Sequence, residues 1–187
     1  MTLHITKSKT ASNGVKIPAL ISSAQIQAKV KQLARQISED YGLRTRAPLL
    51  ICILNGAFVF MADLLRNLDI PVECNFIRLS SYDQATKSSN RIKVVMDIEC
   101  PVKGKDIIIV DDIIDTGLTA RFLINRLKQA QARSVKICAL LDKPARRIAP
   151  VKIDYPGFKI TNKFVVGYGL DYKERYRQLD YVGCIPQ

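Results

Sequence analysis

Apolar residues near the start of the chain recur with the period of a helix. Ile26, Val30, Leu33, Ile37 and Tyr41 fall on one face, Ser22 or Ser23 offers a cap and Gly42 stops the run, so the spacing predicts a helix over 23–41. Residues 48–54 are instead continuously apolar, as a strand buried on both faces should be. Past Asn55-Gly56, the residues Ala57, Phe60, Met61, Leu64, Leu65 and Leu68 return to helical spacing. Residues 72–79 and 92–98 read as strands. Between them lies a polar tract, 80–91, whose one apolar anchor is Tyr82, and it is expected to be a mobile loop. Residues 105–110 predict a further buried strand, the face Ala120, Leu123, Ile124, Leu127 and Ala130 predicts a helix, and 135–141 a strand.

Strands that alternate with amphipathic helices imply right-handed crossovers, and hence the α/β class: a central, mainly parallel twisted sheet flanked by helices. The length of 187 residues and 48% hydrophobic content suit a single domain spanning 1–187, with its core at about 45–165. The N-terminal segment and the region after 165 fit the alternation less well, and are expected to form a small hood subdomain. Ligands in such sheets bind at the carboxyl ends of the strands. Those ends bring Asn55-Gly56, Asp111-Asp112 and Asp142-Lys143 to one edge.

Lys and Arg number 29 against 17 Asp and Glu, a formal charge of +12. That surplus attracts any polyanion, but no Arg-rich helix or aromatic-interleaved basic stripe is present, which argues against a nucleic-acid partner. The five cysteines, Cys52, Cys74, Cys100, Cys138 and Cys184, are widely spaced without a C-x-x-C pair, and read as reduced core residues. Residues 1–10 are polar and lack the apolar centre of a signal peptide, so a cytoplasmic protein is expected. Residues 48–65 imitate a membrane span of ~20 residues, but Asn55-Gly56 breaks the stretch and Asp63 sits inside it, so a strand, turn and helix fit better and no membrane partner is expected.

The chemistry concentrates at the end of the 105–110 strand. Asp111, Asp112 and Asp115 lie within five residues of each other, and such clustering calls for a cation or an array of hydroxyl donors. Mg²⁺ suits them, because this hard ion takes one or two carboxylates together with substrate oxygens. Thr116, Gly117, Leu118 and Thr119 then offer N–H groups and two hydroxyls where a helix begins, a setting that stabilises a phosphate monoester. Gly117 permits the sharp turn. A Walker loop and a complete dinucleotide fingerprint are both absent, and His4 is the only histidine, which excludes Ser-His-Asp and His-metal chemistry.

The unit 107–119 resembles the ribose-phosphate signature of the phosphoribosyltransferases, and its third Asp, three residues past the acidic pair, is similar to the hypoxanthine-guanine branch. The resemblance runs from about residue 48 to 185. It implies a type I phosphoribosyltransferase fold and a set of roles for individual residues. Asp111 and Asp112 would serve the ribose and metal, and Asp115 would be the catalytic acid/base as well as part of the 5′-phosphate loop 115–119. Asn55 and Gly56 would bind pyrophosphate, in a loop that commonly carries a cis peptide before its glycine, and Arg177 would join them. Ser81 and Tyr82 match a flexible loop that closes over the reacting centre. Ile113, Lys143, Phe164, Val165 and Asp171 would form the purine site, with Lys143 donating to the 6-oxo group, and Asp171 would complete the metal set. Asn55 and Leu118 stand where relatives often have basic residues, and Asp111 where many have Glu.

Taken together, the resemblance implies a Mg²⁺-dependent purine-salvage enzyme. It would move the phosphoribosyl group from phosphoribosyl pyrophosphate to N9 of hypoxanthine or guanine, giving IMP or GMP, and would be a homo-oligomer, dimer or tetramer. The rival reading is a phosphoribosyltransferase-fold regulator that binds RNA through the positive charge.

Overall fold

A computed structural model describes residues 17–81 and 92–185. In chain order the elements are β1 (Ala19–Ile21), α1 (Ser23–Tyr41), β2 (Leu49–Leu54), α2 (Phe58–Asn67), β3 (Glu73–Ser81), β4 (Ile92–Met96), β5 (Asp106–Ile114), α3 (Leu118–Gln129), β6 (Ser134–Asp142), β7 (Tyr155–Lys159), β8 (Val165–Val166) and β9 (Val182–Cys184). A 3-10 turn, Pro144–Arg146, follows β6. Six strands form one sheet in the order β4-β3-β2-β5-β6-β7, parallel throughout except for the β3–β4 pair. This is the mainly parallel α/β sheet that the alternation predicts.

The continuous apolar runs have a simple cause. Leu50, Cys52, Ile108, Val110, Cys138 and Leu140 face α1 and α2, while Leu49, Ile51, Ile107, Ile109, Ile137 and Ala139 face α3. Both sides of each central strand are therefore covered, so neither position of the two-residue period can be polar. α1 begins on a capping box in which Ser22 and Gln25 satisfy each other's backbone N–H groups. It packs with α2 against the sheet, so the covered core starts before residue 45. The apolar stretch 48–65 resolves into β2, a turn and α2, and among the described residues no helix is long and apolar enough to cross a membrane.

Three expectations change. The strand expected at 105–110 runs on to Ile114, because β6 continues beside it and offers ladder partners as far as Asp142. Asp111 and Asp112 therefore lie inside a strand, not after it. β3 extends through Ser81, so the tract expected as a loop begins one strand end later; residues 82–91, Tyr82 among them, lie outside the described residues. All five cysteines are free, but only Cys52 and Cys138 are core, and Cys74 is exposed beside Phe76 on an uncovered face of β3.

The described ends of the chain meet in a second, three-stranded sheet of order β1-β9-β8, antiparallel throughout. Its own small cluster contains Ile17, Val166 and Leu179.

At the amino end of β5 the buried Asp106 carboxylate accepts from Arg44 Nη1 at 2.8 Å, from Arg133 Nε at 2.9 Å and from Ser134 Oγ at 2.6 Å. These donors hold its pKa far below the usual carboxylate range. A folded-state pKa below the unfolded one means stability that is complete above about pH 4 and is lost as the pH falls toward the folded value. Asp106→Asn should therefore lower stability by about 1–3 kcal/mol at pH 7. In urea unfolding between pH 6 and 2.5, the variant should show a shallower loss below pH ~4 than the parent.

Candidate active site

β5 carries its acidic pair to the carboxyl edge of the sheet from a strand whose residues Ile107, Ile108, Ile109 and Val110 are wholly buried. Asp111 is itself buried and Asp112 half-buried. The Asp112 N–H donates to Asp111 Oδ1 at 3.1 Å, and the Ile113 N–H to Asp112 Oδ1 at 2.9 Å. Burial and the adjacent carboxylate push the Asp111 pKa well above its ordinary value. Burial also pushes Asp112 up, against the opposing pull of the Arg177 charge.

The loop after β2 is pressed against this pair. A Cβ on Gly56 would lie 1.7 Å from Asp112 Oδ2, and one on Gly169 would lie 2.1 Å from Gly56 O. No side chain fits at either position, so the backbone at 56 is held between Asp112 and the 167–170 turn. The peptide before Gly56 is not the cis bond. A cis peptide occurs one bond earlier, at Leu54–Asn55, with no proline to mark it in the sequence.

Beyond β5 the chain turns through Asp115, Thr116 and Gly117, with φ +79° at Gly117, into α3. Gly117, at the cap, has no side chain to offer; Thr116 Oγ1 accepts from the Leu118 N–H at 3.4 Å, and the following N–H groups of the first turn are left for another acceptor. The Asp115 carboxylate is divided. One oxygen pairs with Arg146 at 3.3 Å, and Oδ1 is buried with no hydrogen-bond partner.

Across the cleft, Lys143 leaves β6 and is buried, contrary to the solvated charge that an isolated lysine suggests. Phe164 is 47% exposed and meets Tyr172 edge-on, with ring centres 5.6 Å apart. A face left open in this way is available for stacking. Val165 is buried in β8, and Phe164 O accepts from the Ile185 N–H. Asp171 pairs with Arg177 at 2.9 Å and accepts from the Glu174 N–H, while Arg177 Nη1 donates to Gly169 O at 2.8 Å.

Two adjoining cavities result. One, of about 260 Å³, is lined by Asp111, Asp112, Ile113, Asp115, Thr116, Gly117 and Thr119. The other, of about 380 Å³, is lined by Asn55, Gly56, Asp112, Ile113, Asp115, Lys143, Phe164, Val165, Asp171 and Arg177. Asp112 and Asp115 belong to both walls, so the two cavities together form one cleft of a size that takes a small molecule. Leu118 lines neither cavity, although Thr119 and Ala120 after it in α3 line the first.

Among the described residues no three His, Cys, Asp or Glu side chains gather where they could hold a metal, and Asp171 is engaged by Arg177 and Glu174 instead of joining the acidic pair. The pair alone still fits Mg²⁺, which needs only one or two carboxylates besides substrate oxygens and would relieve the crowding of two buried acids. Arg78 and Arg146 also line the second cavity, and the sequence reading omits both. Arg78 lies near the carboxyl end of β3, so the strand-end rule could have found it. Arg146 carries no local signal.

A family model described as phosphoribosyl transferase domain matches residues 21–173. The hypoxanthine-guanine phosphoribosyltransferase of Bacillus subtilis is 46% identical over 166 residues, covering 89% of this chain and 91% of that protein. The enzyme of the same name from Streptococcus thermophilus is 42% identical over 168 residues, covering 90% and 92%. A crystal structure of a hypoxanthine-guanine phosphoribosyltransferase from Bacillus anthracis superposes with a TM-score of 0.85 at 41% identity, covering 90% of this chain and 98% of that one. With the acidic strand end, the amino end of α3 and the open phenylalanine all on one cleft, these likenesses leave a single assignment: the chain belongs to the hypoxanthine-guanine phosphoribosyltransferase family.

Proposed function

We propose that this cleft transfers the phosphoribosyl group of phosphoribosyl pyrophosphate to N9 of a 6-oxopurine, hypoxanthine or guanine, in purine salvage. The observation that carries the reading is that Gly56, Asp112, Asp115, Lys143, Phe164 and Arg177, drawn from separate parts of the chain, line one cavity. The names of the relatives support the same substrates.

The 5′-phosphate sits on the N–H groups and hydroxyls of 115–119, at the positive end of α3. Asp111 and Asp112 accept from the ribose hydroxyls. The pyrophosphate lies against Asn55 and Gly56, with Arg177 neutralising it. The purine stacks on Phe164, takes a hydrogen bond from Lys143 at its 6-oxo group and meets the backbone at Val165. N9 then forms its bond to C1′ as the C1′–oxygen bond to pyrophosphate breaks, with inversion, while Asp115 handles the proton at N7. Positive charge that develops on the ribose faces the two carboxylates, and negative charge on the leaving group faces Arg177. Mg²⁺, held by Asp111 and Asp112 with Asp171 nearer the pyrophosphate, would supply further neutralisation of the leaving group. The small sheet of β1, β8 and β9 serves as the hood that carries the purine wall.

A spectrophotometric panel of hypoxanthine, guanine, xanthine, adenine and uracil with phosphoribosyl pyrophosphate and Mg²⁺ tests the reading directly. Turnover is expected with hypoxanthine or guanine and not with adenine or uracil. Salt-sensitive RNA binding without turnover of any base would select the regulator instead. Lys143→Ala should raise the KM for the 6-oxopurine by roughly 10- to 100-fold, the worth of a lost hydrogen bond to a charged donor, and leave that for phosphoribosyl pyrophosphate nearly unchanged. An unaltered base KM would remove Lys143 from the purine site.

Asp115→Asn keeps the shape of the side chain but cannot take up a proton. Its kcat with hypoxanthine should fall by about 10²–10⁴-fold while phosphoribosyl pyrophosphate still binds. Near-normal kcat would exclude proton transfer through Asp115, and a loss confined to phosphoribosyl pyrophosphate affinity would move this residue to the ribose-phosphate site.

A further inference from the structure

The segment after β6 folds back along the outside of the phosphate loop and takes up three consecutive carbonyls of it. The Lys143 N–H donates to Ile114 O at 3.0 Å, and the N–H groups of Ile148 and Ala149 both donate to Thr116 O at 2.9 Å. Arg147 occupies the space between. Its Nη2 donates to Ile114 O at 3.0 Å and its Nε to Asp115 O at 3.0 Å, while Nη2 is also anchored on the Asp142 carboxylate. The side chain is only 17% exposed and lines neither cavity. A planar guanidinium can make these three contacts at once, whereas an ammonium is a point charge without that fork.

The direction of these bonds matters more than their number. Across a planar trans peptide the carbonyl and the following N–H point opposite ways. With the carbonyls of Ile114, Asp115 and Thr116 turned to the outer segment, the N–H groups of Asp115, Thr116 and Gly117 turn away from it, toward the cavity those residues line. Successive N–H groups aimed into one concavity bind an anion.

We propose that Arg147 is a positioning residue for the substrate's 5′-phosphate: from behind the loop it locks the 114–115 and 115–116 peptide planes so that their N–H groups face the phosphate. The inference rests on the reading of 115–119 as the phosphate cradle. It assigns a function to a residue that touches no substrate, and it ties that function to the Asp142 carboxylate beside the base-reading Lys143.

The test uses the full-length protein, with ribose 5-phosphate and inorganic pyrophosphate as separate calorimetric probes beside the steady-state KM values. Arg147→Lys keeps the charge and the Asp142 pair but not the fork. Its affinity for ribose 5-phosphate should fall about tenfold or more and its KM for phosphoribosyl pyrophosphate should rise in step. Pyrophosphate affinity and the hypoxanthine KM should stay within about twofold of the parent. In Arg147→Ala, added guanidinium ion should recover part of the ribose 5-phosphate affinity. Ribose 5-phosphate and pyrophosphate affinities that drop together, or a ribose 5-phosphate affinity that does not change, would overturn the proposal. Should the alanine variant not fold, the lysine variant decides alone. A parent protein that binds pyrophosphate but not ribose 5-phosphate would instead overturn the cradle reading on which the proposal stands.

Discussion

Asp111 and Asp112 stand side by side at the end of a strand whose preceding residues are fully buried, and two carboxylates so placed cannot both ionise cheaply without an opposite charge or hydroxyl donors nearby. Most of the surrounding architecture answers that demand. Gly56 brings bare backbone against Asp112, Arg177 faces the same group from the far wall, and the first turn of α3 opens on the adjoining cavity. A polyhydroxylated, polyanionic sugar suits such a place because its hydroxyls can serve the acids while its phosphates serve the amides and arginines. The specificity of the cleft thus begins with an electrostatic problem that the fold alone leaves unsolved.

The walls are also mechanically joined. Gly169 packs on Gly56, Arg177 bonds the Gly169 carbonyl, and the Tyr168 hydroxyl donates to Asp63 on α2. A displacement of the 167–171 turn would therefore be felt at the Asn55-Gly56 loop and in the helix behind it. On the opposite side the segment 143–149 couples β6 to the loop after β5 through backbone bonds. The site is held from both flanks by contacts that join its walls, as a constellation needing sub-ångström placement requires.

How much of this is legible in the sequence depends on whether the signal is local. Helix α1 announces itself through a serine cap, five apolar residues at helical spacing and Gly42 as its stop, and β2 and β5 through runs that only a doubly covered strand tolerates. β7 does not, because Pro156 and Gly157 argue against a strand, and only its position at the sheet edge accommodates them. β1, β8 and β9 are too short to show any period. In the site, Asp111, Asp112, Asp115 and Gly117 are recognisable because they adjoin one another in the chain. The burial of Lys143, the engagement of Asp171 by Arg177 and the wall contributions of Arg78 and Arg146 arise from contacts between distant segments, so no spacing encodes them. The overlong β5 is a related case, since backbone pairing with β6 carries the strand past the end of its apolar run.

The placement of β8 has a consequence for biosynthesis. Among the described residues Val165 and Val166 pair only with β9, which ends at Cys184, and Phe164 O is bonded by Ile185. The acidic strand, the helix after it and the lysine-bearing turn all emerge from a ribosome well before those residues do. A nascent chain can therefore assemble the acidic half of its cleft while the opposite wall still lacks its partner strand. The catalyst is completed by some of the last described residues to be made, which keeps a half-built cleft from acquiring its full set of contacts during synthesis.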